Sequence, residues 1–331
     1  MMFDVVLPSI ISIITVATVF LYAKVEKKIK AVFEEKEFRV RDAVFLVITM
    51  GVMVTIIVLV PQQAIRALFL VAYSFVLFLF TYVVTEKWYF ALLPSAVFVA
   101  LYLSPYWNLI LLNIFAIIFA VLVTVYLGGM FSWKTVMVFA ALITVMDFIQ
   151  VFGTGFMGAS AEKLLDLKLP IMLLVPTFPV KASGLLGLGL GDVFLTGLLA
   201  IQTSQKYGRT AGFISAAAVG FAFFIFEFAV FSYRYTGFFP ATIIVVGGWV
   251  AAFGIAYPQR SRMVGAVGGT SCLVGGMAMS VALLHVTLQS TTAFSALLLA
   301  VEAATIAALV ILGFLGFIIP HVYRGAAKIR E

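Results

Sequence analysis

Residues 134–157 read KTVMVFAALITVMDFIQVFGTGFM. Between Lys134 and the end of this stretch the only charge is Asp147. As a helix rising 1.5 Å per residue the run is about 36 Å long, and roughly 20 apolar residues cross a bilayer's hydrocarbon core. A central charged carboxylate costs about 2.5–3.5 kcal/mol on insertion scales. The stretch therefore predicts a membrane span that retains an acid for a reason. The rest of the chain is of the same kind. Of 331 residues, 64% are apolar and 11% charged, with a mean hydropathy of +1.20. A soluble domain has about 25% charged residues and 45–50% apolar ones. This composition excludes a cytosolic enzyme, a secreted domain and a disordered regulator.

Reading outward gives apolar runs at about 5–23, 43–60, 67–85, 89–104, 107–130, 134–157, 185–205, 211–233, 239–257, 263–286 and 293–319. Eleven spans of an all-α, polytopic helical bundle are expected, because helices satisfy their own backbone groups in lipid. The first run follows Met1-Met2-Phe3-Asp4, which lacks the basic n-region of a signal peptide, and reads as a retained span. The longest polar stretch, 24–42, reads as a solvated, partly helical loop on anionic lipid. With that loop in the cytoplasm, alternating spans collect sixteen Lys and Arg on the cytoplasmic side and five on the other. That asymmetry predicts an outside N-terminus and a cytoplasmic C-terminus. It also accounts for the basic excess without nucleic acid. One cysteine, Cys272, and two histidines, His285 and His321, leave no Cys/His metal site, and no cofactor is expected.

Four acids lie inside apolar runs: Asp147, Asp192, Glu227 and Glu302. Glu227 and Glu302 read as protonated or hydrogen-bonded contacts between helices. Asp147 and Asp192 differ. No basic residue neighbours Asp147 on its span, and Asp192 follows Gly187, Gly189 and Gly191. Glycines at that spacing weaken a helix and expose peptide groups. Two carboxylates facing each other cannot both ionise, so one proton is shared. The ionised member activates water, the protonated one polarises a peptide carbonyl, and the roles then reverse. Between them, 158–184 carries Pro170, Pro176 and Pro179 around the short apolar piece 171–175. It reads either as an interfacial connector or as a strand-capable segment beside a cleft.

At these residues the chain resembles the presenilin and signal peptide peptidase family of intramembrane aspartyl proteases. The pieces that carry the resemblance are Asp147 followed by 151–157 (VFGTGFM), the segment 169–176 (LPIMLLVP), and Gly189-Leu190-Gly191-Asp192 as the GxGD motif. The likeness is best over about 134–260. It implies a catalytic dyad of Asp147 and Asp192, with Gly189, Leu190, Gly191, Leu169, Pro170, Pro240 and Ala241 beside the substrate. The substrate would be a transmembrane helix of another protein, locally unwound and paired as a strand. It also implies a presenilin-like nine-span core with about two extra C-terminal spans. The corresponding division is 1–133 (N-terminal bundle), 134–260 (catalytic core) and 261–331 (extra spans and basic tail).

Two residues depart from the family pattern. Met146 stands where the family has tyrosine, and Pro240-Ala241-Thr242 stands where it has Pro-Ala-Leu. On sequence grounds, leucine at 242 should be tolerated or improve activity. Accessory subunits and self-association stay open. The competing classes are a proton- or ion-coupled transporter or channel, which also uses intramembrane acids and broken helices, and a prepilin-type GxGD peptidase.

Overall fold

Large apolar side chains that no protein covers must face something other than water. The most apolar stretches of the second and third helices have mean hydropathies of 2.5 and 2.4, yet only 17% of each is covered by the rest of the protein. Phe45, Leu59 and Val71 are 70%, 76% and 69% exposed. In water this surface would drive association; in hydrocarbon it is the natural exterior. The computed structural model is mostly helical, and six of its described helices are long and apolar enough to cross a membrane. The protein is an all-α, membrane-embedded bundle. The structure describes residues 4–32, 37–178, 185–233 and 238–256.

The elements run α1 (Val6–Val32), α2 (Val40–Leu59), α3 (Gln62–Thr85), α4 (Trp88–Leu103), α5 (Leu109–Gly128), α6 (Trp133–Phe148), a π-helical turn (Ile149–Gly153), α7 (Phe156–Asp166), β1 (Met172–Pro176), β2 (Leu185–Gly189), α8 (Leu190–Tyr207), α9 (Arg209–Tyr233) and α10 (Ala241–Ala256). Three boundaries differ from the sequence expectation. Helix α1 continues through the basic stretch after residue 23, because Lys30 bridges Glu26 one turn back at 2.8 Å and Ile29 is buried. The sixth run leaves α geometry at Phe148. The seventh is not one helix, since its glycine-rich start is a strand. The expected spans 263–286 and 293–319, with Glu302, Cys272 and both histidines, lie outside the described residues.

Helix α8 is the axis of the packing, with every residue from Asp192 to Thr203 buried. One apolar core joins it to α1, α2, α5, α6, α9, α10 and both strands through Leu7, Val47, Ala116, Phe139, Leu173, Leu198 and Trp249. This core includes residues on both sides of position 133. Helices α1 and α9 approach closely at Gly220, where a Cβ would lie 2.8 Å from the Pro8 carbonyl.

Loop charges sort by end. At one end Lys28 meets Glu86 at 3.3 Å, and Lys206 lies over the Trp133 ring at 4.2 Å. At the other, Lys163 donates to the Val58 and Val60 carbonyls at 2.9 and 2.6 Å, closing the C-terminus of α2.

Candidate active site

The site forms where three elements change character. Helix α6 ends in a π-helical turn, a feature frequent at functional sites. Gln150 in that turn is buried and donates to the Gly51 carbonyl of α2 at 2.9 Å. Met146 also packs there: a Cβ on Gly51 would lie 2.6 Å from its sulfur. The residue preceding Asp147 thus faces α2. Asp147 itself points inward and is 5% exposed.

The second element is an antiparallel hairpin. Met172 pairs with Gly189, Leu174 with Gly187 and Pro176 with Leu185, and the Leu190 amide donates to the Ile171 carbonyl at 3.1 Å. Gly189 ends β2 and Leu190 opens α8, so Asp192 falls in the first helical turn. A side chain on Gly189 would sit 3.2 Å from Asp192 Oδ2, whereas a Cβ on Gly191 would meet open space. The glycines thus leave the carboxylate uncovered on the strand side. Asp192 is 9% exposed and lies within electrostatic range of Asp147. Among the described residues no basic side chain pairs with either acid.

The third element is the start of α10. Pro240 is buried, and its carbonyl accepts the Ile243 amide at 3.2 Å. Two residues on, Thr242 Oγ1 donates to Asp147 Oδ2 at 2.7 Å. This contact puts Pro240-Ala241 beside the dyad. Residue 242 is thus in direct contact with Asp147 through its hydroxyl. A leucine at 242 would lack this donor.

The other residues singled out from sequence divide by role. Leu169 is 1% exposed and packs with Ile57, Ile65, Leu164 and Leu167, and Leu190 is core. Both pack into apolar core beside the hairpin. Pro170 is buried, with its carbonyl accepting the Tyr73 hydroxyl. Sequence reasoning missed the groups that hold this segment. Tyr102 donates to the Leu167 carbonyl at 2.8 Å, Trp107 Nε1 to Lys168 at 3.0 Å, and Asn113 to Leu174 at 2.8 Å. A lone Asn in the apolar α5 was the readable signal, since such a side chain needs a partner. Glu227 is 3% exposed, and its carboxylate lies near that of Asp4.

A scan against protein-family models and a search of curated proteins each return no match.

Proposed function

We propose that the protein is an intramembrane aspartyl protease that hydrolyses peptide bonds within transmembrane helices, resembling presenilin and signal peptide peptidase in mechanism. The observation that carries this reading is the convergence of Asp147 and Asp192, two buried acids without basic partners, at a hairpin within a membrane bundle. One carboxylate takes a proton from water as it attacks the scissile carbonyl, and the other gives its proton to the carbonyl oxygen. The resulting gem-diol collapses as a proton passes to the leaving nitrogen.

The hairpin supports a mode of substrate binding. Asn113 occupies the outward main-chain groups of Leu174 on β1. Antiparallel ladders alternate their bonding direction, so Gly187, opposite Leu174, turns its own groups outward from β2. Among the described residues nothing bonds to them. The edge offered to an unwound substrate is then β2. The nine-span core, the two further spans, and the cytoplasmic placement of the Lys28 end belong to this same reading.

The test is cleavage of a labelled transmembrane substrate by the full chain in detergent. Asp147→Asn and Asp192→Asn should each lose at least about 10²-fold while remaining folded. A second reading, proton-coupled transport, draws on the buried Glu227–Asp4 pair; a transporter would leave the labelled substrate intact.

A further inference from the structure

We infer that Thr242 is a positioning residue that holds Asp147 as the ionised, water-activating member of the dyad and leaves Asp192 as the proton carrier. This rests on the protease reading above and assigns the two roles within it. A threonine hydroxyl has one proton to give. In this bundle six buried threonines, at 15, 18, 124, 144, 196 and 203, spend it on the carbonyl four residues back in their own helix. Thr242 stands in the first turn of α10, after Pro240, and spends it on Asp147 Oδ2 instead.

The helix dipoles argue the other way. Asp192 lies in the first turn of α8, where negative charge is favoured, whereas Asp147 stands within a helix that continues through the π-helical turn to Gly153. A hydrogen bond to a charged group outweighs a helix-end dipole, and the Thr242 hydroxyl therefore decides the sharing. Among the described residues Asp192 has no side-chain donor. The titratable group facing Asp147 is Asp192 itself, and no charged residue of α2 or α10 approaches the pair. With the charge on Asp147, the water is activated from the α6–α10 side and the substrate carbonyl is protonated from the GxGD side.

The test uses the purified full chain and a labelled transmembrane substrate, comparing wild type with Thr242→Ser, Thr242→Val, Thr242→Ala and Thr242→Leu. Serine keeps the donor and should stay within about threefold of wild type. Valine, alanine and leucine should lower kcat by about 10- to 100-fold, the worth of one hydrogen bond to a charged group, with KM little changed. In the valine and alanine variants the acid limb of the kcat profile should move, because the donor that sets how the pair shares its proton is gone. Alanine, which brings no new bulk, separates loss of the donor from misfolding. Wild-type kcat and an unmoved acid limb in either valine or alanine, with Asp147→Asn inactive, overturn the role of Thr242 alone. Cleavage that survives both Asp147→Asn and Asp192→Asn overturns the protease reading beneath it.

Discussion

The side chain of Asn113 exchanges two hydrogen bonds with the main chain of Leu174, donating to its carbonyl at 2.8 Å and accepting from its amide at 2.9 Å. This pair ties α5 to the hairpin that leads into Asp192. Replacing Asn113 by leucine strands an amide and a carbonyl in apolar surroundings, at about 1–3 kcal/mol for each unsatisfied group. Asn113→Leu should lower the thermal midpoint and cut cleavage more than Asn113→Gln. Equal stability of wild type and the leucine variant would show that β1 does not depend on this tether.

If β2 carries the free edge, substrate should lie against it. Leu185 is 47% exposed at the start of that strand. Because Cys272 is the only cysteine, a Cys272→Ser background allows single cysteines to be placed cleanly. Leu185→Cys should form disulfides with a cysteine-scanned substrate, and Leu174→Cys on the tethered strand should not. The reverse pattern would put substrate on β1.

The sorting of loop charges gives a topological prediction. Lys27 and Lys168 are exposed and belong to opposite ends of the bundle. Single cysteines at these positions should be labelled from opposite faces of intact cells, with position 168 accessible from outside. Labelling of position 27 from outside would invert the orientation and the class of substrate that fits it.

Glu227 separates the two functional readings. It is buried close to Asp4. It is an element of neither the dyad nor the hairpin. Glu227→Gln keeps shape and removes the ionisable proton, so proteolysis should stay within about threefold. Loss of cleavage with normal folding would bring the Asp4–Glu227 pair into the mechanism.

Much of this was legible because lipid simplifies the code. Long apolar runs become helices, and an acid inside one stands out, as Asp147 and Asp192 did. The breaks were harder. Gly187 and Gly189 read as a weakened helix start, yet they belong to a strand, since they pair with 172–176 earlier in the chain, which no local pattern reveals. The π-helical turn after Asp147 depends on Gln150 reaching Gly51, far away in sequence. Thr242 read as a defect in a motif because its partner sits 95 residues earlier. In each case the missing information was a tertiary contact, not a propensity.

The depth of the dyad predicts where substrates are cut. Helices α6, α8 and α10 share an aromatic end in which Trp133, Tyr207 and Phe253 pack together, with Lys206 over the Trp133 ring. Indole and phenol rings beside a lysine mark a membrane–water interface. Asp147 follows Trp133 by fourteen residues and Asp192 precedes Tyr207 by fifteen. At 1.5 Å per residue both carboxylates stand about 21–23 Å from that interface. Across roughly 30 Å of hydrocarbon this places the chemistry in the far half, about 7–9 Å from the opposite surface. The hairpin lies at the same level, since β2 runs directly into α8. A substrate helix should therefore be cut within its two or three turns nearest the Lys163–Lys168 face. Mass spectrometry of the products from a substrate of known span, reconstituted in bilayers, reads the position directly. Lengthening the substrate by one helical turn on the Trp133 side should leave the cleaved bond unchanged, whereas one turn added on the other side should move the cut by about four residues. Cleavage centred within two turns of the Trp133 interface would mean that these aspartates are not the residues that meet the scissile bond.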